Sequence, residues 1–162
     1  MVGPAGALPR YRAMDDPFDL NRFVEAQARN VDQALRELQA GRKTSHWMWY
    51  VFPQIAGLGS SPMAQRYAIS GLDEARAYLQ HPELGPRLLA CTAAVNAVTG
   101  RTAHEIFGSP DDVKFRSSMT LFAAADATQA EFRRALAAFF GGQPDPRTLE
   151  KLGRSGSFSL FP

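Results

Sequence analysis

Lys43, Ser45, His46, Trp47, Trp49 and Gln54 crowd into a dozen residues, Lys43-Thr44-Ser45-His46-Trp47-Met48-Trp49-Tyr50-Val51-Phe52-Pro53-Gln54. This stretch holds both tryptophans of the chain, one of its three histidines and one of its three lysines. Its apolar and aromatic run, Trp47 to Phe52, is framed by groups that donate hydrogen bonds or titrate. Such a pattern suits a half-buried pocket wall, where indoles flank a flat ring and the polar neighbours hold its substituents. The plainer reading is a core segment whose indole N–H groups find local partners.

Two further groupings carry chemistry. Along a helix interrupted at Ser70-Gly71, the spacing puts Tyr67, Glu74, Tyr78 and His81 near one azimuth, opposite Leu72, Ala75 and Leu79. A carboxylate flanked by two phenols and an imidazole suits acid/base work or stabilisation of a cation; a solvated face has the same pattern. On a later helix, Lys114, Ser117 and Ser118 fall within one turn, and Val113, Thr120, Leu121 and Ala124 mark its buried side. Lysine near a helix start opposes the helix dipole, so Lys114 is expected to face a carboxylate or phosphate, or to stretch into water.

Other chemistries lack their residues. Gly57-Leu58-Gly59 has no third glycine for a dinucleotide fingerprint, and no Gly-Lys-Ser/Thr phosphate loop exists. His81-Pro82-Glu83 resembles the start of a zinc deaminase motif, but its paired cysteines are missing, because Cys91 is the only cysteine. That count also excludes an intramolecular disulfide, and an apolar helical context makes Cys91 packing material. No metal or cofactor is expected. The formal charge of +2, from eighteen basic and sixteen acidic residues spread along the chain, leaves no basic block for nucleic acid or a membrane surface. Residues 1–14 lack the apolar core of about 7 to 15 residues that a secretory signal needs. No apolar run approaches the roughly 20 residues of a membrane span, so a reduced, cytoplasmic setting is the expectation.

The elements that must position these residues read as helices. At 162 residues with 45% apolar composition, one domain with a real core is expected. Asp16-Pro17 opens a helix whose apolar positions run from Leu20 to Leu38, before Gly41 stops it. Ser61-Pro62 starts another, Leu72 to Gln80 a third, Gly85-Pro86 a fourth that ends at Gly100. Thr102 with Glu105, Ser109 with Asp112 and Thr128 with Glu131 are spaced as helix starts, and Asp145-Pro146 caps a final turn. The aromatic segment fits a short helix, the preferred reading, or a strand with Ser45, Trp47, Trp49 and Val51 on one face and His46, Met48, Tyr50 and Phe52 on the other. The fold class is therefore all-α, a single compact domain of about seven or eight short-to-medium helices over 16–152. Residues 1–15 are expected to form a flexible segment and 153–162 a tail whose Phe158, Leu160 and Phe161 either dock or fray.

These segments together resemble the DUF1810 family, a small, mainly bacterial group without assigned activity. The resemblance rests on Asp16-Pro17-Phe18, Ser45-His46-Trp47-Met48-Trp49 through Phe52-Pro53-Gln54, Gly57-Leu58-Gly59, Tyr67-Ala68-Ile69, Glu74-Ala75, Tyr78-Leu79, His81-Pro82, Phe107-Gly108, Lys114 with Ser117-Ser118, and Leu121-Phe122. It implies a mainly helical fold. The label calpastatin, which members sometimes carry, does not fit so apolar a chain. The order lysine, aromatics, glutamate, late helix also has a remote likeness to the NADAR group, which cleaves N-glycosidic bonds of ADP-ribose conjugates.

The resulting expectation is a pocket for a small-molecule or nucleotide-like ligand, lined by Ser45, His46, Trp47, Trp49, Gln54, Tyr67, Tyr78, His81 and Ser118. For an N-glycosidase-type hydrolase, Glu74 would stabilise the developing oxocarbenium or activate water, while Lys43 and Lys114 hold phosphate or assist the leaving group. The alternative is a non-catalytic protein-interaction or structural domain. Oligomeric state has no signature in the residues.

Overall fold

The computed structural model describes residues 15–153; the expected N-terminal segment and docking tail lie almost wholly outside them. Ten helices make up the described chain: α1 (Asn21–Ala28), α2 (Val31–Gln39), α3 (Met48–Val51), α4 (Pro62–Arg66), α5 (Leu72–Gln80), α6 (Leu84–Asn96), α7 (Ala103–Phe107), α8 (Asp111–Ala125), α9 (Ala130–Phe140) and α10 (Pro146–Lys151). Among the described residues there is no strand, only an isolated parallel bridge between Ile55 and Ile69.

The all-α single domain matches the expectation; ten helices instead of seven or eight correct it. One source is the first run, which divides in two. Asp16 does not cap a helix at Pro17 but turns the chain, its carboxylate accepting from Leu20 N (2.8 Å) and Asn21 N (3.0 Å). Asn30, with φ of −146°, leaves helical geometry and separates α1 from α2. The single-turn elements supply the rest.

Caps that need only neighbours behave as the spacing predicts. Ser61 Oγ accepts from Ala64 N, Thr102 and Glu105 form a full capping box, and Asp145 accepts from Thr148 N with Pro146 in the first turn. Two predicted caps are taken by other partners. Thr128 donates to the Asp126 carboxylate, and Glu131 accepts from Asn96 Nδ2 and Arg134, so Gln129 stands at the start of α9 without a side-chain cap. Asp112 Oδ1 accepts from Val113 N, leaving the start of α8 at Pro110 uncapped.

Part of the core is a cluster of rings where α8 meets α7, α9 and the segment after α3. Phe115 on α8 sits at its centre, 4.6 Å from Phe107 and 5.0 Å from Phe52 between ring centroids. α8 packs on α5, α7, α9 and α10, and α6 on α2, α5 and α9, so α8 is the buried axis from which the site residues project. Val113, placed by its spacing on the buried side of α8, instead stands 56% exposed. On α5 both faces turn inward: Ala75 is buried and Leu72 and Leu79 are half-buried against the core, as the apolar stripe predicts, while Glu74 and Tyr78 are buried as well and not solvated. Polar partners on α1 receive them.

Among the described glycines, Gly85, just past the α5–α6 turn, leaves the least room for a side chain. A Cβ on Gly85 would lie 2.1 Å from the Leu79 carbonyl oxygen and 2.9 Å from its carbon. Since the obstacle is backbone, Gly85→Ala must displace one helix against the other. Urea unfolding is expected to show a loss of about 2 to 3 kcal/mol, the range for overpacking a tight site; wild-type stability would mean that the turn has slack.

Candidate functional site

The site is built from the carboxylate of Glu37, buried on α2 between the apolar positions Ala34 and Leu38. Oε1 accepts from Thr44 N (2.8 Å), Ser45 N (3.1 Å) and Trp47 Nε1 (2.9 Å); Oε2 accepts from Gln33 Nε2 (2.8 Å) and from Ser45 Oγ in a very short hydrogen bond. Burial alone would push this carboxyl up. The bonds from Ser45, Thr44, Gln33 and Trp47 outweigh it and hold the group well below the usual carboxylate range. Lys43 N donates to Ile106 O at 2.7 Å, tying the same turn to α7.

With its backbone fixed at both ends, Lys43 projects inward. Its side chain is 7% exposed, Nζ lies 2.8 Å from Asp111 Oδ2, and the Trp47 ring is 5.1 Å away. Asp111 opens α8, where a carboxylate suits the helix dipole. Its other oxygen lies 3.5 Å from Lys114 Nζ, which in turn stands 5.4 Å from the Trp49 ring. Thus two sequence-distant lysines share one aspartate against two indoles. Lys114, expected to be out of place at a helix start, is offset by Asp111 one turn before it.

Lys114 lines a cleft of about 380 Å³. Gln54, Ser60, Ser61, Val113, Ser117, Asp145 and Arg147 line it too, with apolar surface from Leu58, Ala64 and Pro110. Asp145 is held by its cap: Oδ2 accepts from Thr148 N (2.9 Å), Thr148 Oγ1 (2.6 Å) and Ser117 Oγ (3.2 Å), and its own N–H donates to Thr120 Oγ1 (2.8 Å). Oδ1 takes part in none of these bonds. Cation, carboxylate, amide and hydroxyls therefore converge in a concavity of the size that takes small ligands, roughly 300 to 1,000 Å³.

The other predicted site residues do not join it. Trp47 is fully buried against Phe52, so only the half-buried Trp49 approaches Lys114. Ser45 is spent on Glu37, and His46 is exposed. Glu74, 3% exposed, pairs with Arg22 Nη2 at 2.8 Å and accepts from Ser70 N (2.9 Å) and Ser70 Oγ (2.8 Å). Tyr78 is buried beside it; Gln27 Nε2 donates to its hydroxyl at 3.0 Å, and burial pushes the phenol up. Tyr67 packs between Phe23 and Tyr50 and lines a different cleft. His81 Nδ1 accepts from Glu83 N (3.0 Å) and Leu84 N (3.2 Å), securing the start of α6. Ser118 is wholly buried, its Oγ without a hydrogen-bond partner. Burial pushes the Cys91 thiol up to about 12, which leaves it un-ionised packing material.

Glu37, Asp111 and Arg147 are residues that spacing did not single out, and Asp145 was marked only as a helix cap and not as a site residue. Two had a signal: Glu37 is a carboxylate on the apolar stripe of α2, and Asp111 lies three residues before Lys114. Among the described residues no group of three or more His, Cys, Asp or Glu is arranged to hold a metal, and no helix is long and apolar enough to cross a membrane.

A helical domain with an ionic cluster beside a small cleft of mixed polar and apolar lining is the class that this geometry defines. Residues 17–152 match the family described as "Protein of unknown function (DUF1810)", and the chain belongs to it. It is similar in structure to the crystal structure of the conserved hypothetical protein Rv1873 from Mycobacterium tuberculosis. The two are 58% identical with a TM-score of 0.85, over 86% of this chain and 100% of that one. No curated protein matches the chain.

The Glu37 network sets a pH dependence. Its folded pKa lies below the ordinary value of 4.5, so its contribution is fully present above that value and is lost as pH falls toward the folded pKa. Urea unfolding between pH 7 and pH 3 is expected to lose stability below about pH 4.5. Glu37→Gln should cost about 3 kcal/mol at pH 7 and flatten that acid limb; an unchanged acid slope in the variant would refute the assignment.

Proposed function

We propose that the protein binds a small, anionic, nucleotide-like molecule in the Gln54–Lys114–Asp145 cleft. The observation that carries this reading is the Lys43–Asp111–Lys114 cluster. Its two ammonium groups against one carboxylate leave a net positive charge, and of the three only Lys114 reaches the cleft wall. Lys114 and Arg147 meet the ligand's anionic group, Gln54, Ser60 and Ser61 meet its hydroxyls, and Lys43 acts from behind by holding Asp111.

The reaction that these residues best serve is hydrolysis of an N-glycosidic bond in an ADP-ribose-like conjugate. The carboxylate for that step is then Asp145, which lines the cleft, and not Glu74, whose oxygens are taken up by Arg22 and Ser70. Asp145 would stabilise an oxocarbenium or activate water through Oδ1. The interaction-domain reading has less support. Val113, the one large hydrophobic side chain exposed among the described residues, sits in the cleft wall, and the open apolar groove between α2 and α6, lined by Leu35, Ala90, Ala94 and Val98, carries no charge pattern that names an occupant.

Thermal shift with NAD, ADP-ribose, nucleosides and free bases tests the binding reading, since a ligand that prefers the native state raises the melting temperature by mass action. A saturable rise is expected with at least one phosphate-bearing compound, and Lys114→Met should weaken it by about tenfold, the order of one charge-assisted bond. Asp111 keeps Lys43 in that variant, so the fold survives. A full set of null results, or an effect indifferent to Lys114, would remove the reading. For turnover, Asp145→Asn keeps a capping side chain and should bind the ligand without cleaving it.

A further inference from the structure

A second cleft, of about 320 Å³, lies between α1 and the segments of α3 and α4, and shares no lining residue with the first. Arg22, Arg29 and Arg66 line it with Asn30, Tyr50 and Tyr67, and Glu25 completes the rim.

The floor of this cleft is fixed. Every N–H of the Arg22 side chain is committed: Nε to Arg66 O (2.8 Å), Nη1 to Phe18 O (2.6 Å) and Asp19 O (2.8 Å), Nη2 to Ala68 O (2.8 Å) and Glu74 Oε2 (2.8 Å). Its charge is balanced by Glu74, and it anchors the main chain that carries Arg66 and Tyr67. Asn30 Nδ2 donates to the Tyr50 hydroxyl at 2.6 Å, and the Tyr50 and Tyr67 rings meet edge to face at 5.3 Å.

The other two guanidinium groups are not balanced in this way. Arg29 makes no ion pair or hydrogen bond through its side chain among the described residues. Arg66 rests over the Tyr67 ring at 5.5 Å, with no carboxylate in salt-bridge distance; the Tyr67 side chain first, then Asp19 and Glu25 through space, favour its charged form. Arg22 and Glu74 cancel, so among the lining residues Arg29 and Arg66 stand against Glu25, and Asp19 behind the lining offsets part of their charge. Arg29 follows the last residue of α1 and Arg66 is the last of α4, positions where a cation offsets the helix dipole. That accounts for two positive charges but not for both side chains lining one concavity beside a phenol.

We propose that this cleft binds the phosphate group of a small ligand, gripped by the guanidinium forks of Arg29 and Arg66 with the Tyr67 hydroxyl as a third donor. Guanidinium matches phosphate geometry with paired N–H donors, which a scattered pair of surface lysines does not. Free phosphate and a phosphate monoester offer the same group, so each is a probe.

The test titrates the full chain with inorganic phosphate and, separately, glycerol 1-phosphate at constant ionic strength. Amide chemical shifts around residues 22–30 and 66–67 are the readout. Saturable shifts centred there are expected with at least one probe, the tighter of the two naming the source. Arg29→Gln/Arg66→Gln should weaken that binding by about tenfold or more, and Lys114→Met should leave it unchanged, which separates this site from the proposed function of the other cleft. Shifts that never saturate, that centre on Lys114, or that persist in the double arginine variant would overturn the proposal.

Discussion

A buried carboxylate without a cation partner organises this domain. Glu37 accepts five hydrogen bonds, four of them from Thr44, Ser45 and Trp47, and no salt bridge to it occurs among the described residues. An isolated buried charge is costly unless its lone pairs are filled. Here the chain turns back on the end of α2 to fill them. Lys43 and Trp47 are thereby set at the two ends of one short turn, with the indole N–H pointing at the carboxylate and the ring left as a surface for the ammonium. The tryptophan is consequently a structural post and not a ligand platform.

From that post the charges sort into two groups. On one side Arg22 and Glu74 neutralise each other under the α1–α5 contact, with Ser70 completing the carboxylate and Gln27 and Tyr78 filling the space beside them. On the other, Lys43, Asp111 and Lys114 form a chain of like and unlike charges that begins in the interior and ends at a cleft. In the first group the Arg22 guanidinium and the Glu74 carboxylate already face each other and their neighbours, which leaves neither of them open to a ligand. The second ends in an ammonium that faces open space. This asymmetry of completion, more than residue type, separates structural from functional candidates, because Glu74 and Asp145 are chemically alike and differ in what their oxygens already hold.

Local chemistry was readable in the residues; pairing over distance was not. Ser61-Pro62, Thr102 with Glu105 and Asp145-Pro146 announce helix starts because each cap closes within three residues. The packing role of Cys91 was equally legible, whereas the aromatic segment fitted helix and strand alike and forms only the single turn of α3. The break at Asn30 was not, since its side chain looks for Tyr50 twenty residues on. Nor was the inward turn of Glu74 and Tyr78, because an amphipathic pattern assigns polar groups to solvent unless an arginine and a glutamine on another helix are known to await them. Thr128 and Glu131 had the right spacing for a cap and were drawn off by Asp126 and Asn96. Lys43 and Lys114 were singled out separately, and their meeting depended on Asp111, a residue that nothing in its own neighbourhood marks beyond its distance from Lys114. Of the two indoles expected in one wall, Trp49 stands beside Lys114 and Trp47 is interior, and neither lines the cleft.

Amide hydrogen exchange at Thr44 and Ser45 bears most directly on the claim that Glu37 holds the turn from which the ionic cluster projects. Bonded to a buried carboxylate, both N–H groups should exchange as slowly as the core amides of α8 at pH 7. Replacement of Glu37 by glutamine should release them selectively, while α8 stays protected against local opening. Fast exchange of Thr44 and Ser45 in the wild-type protein, with α8 protected, would contradict the account.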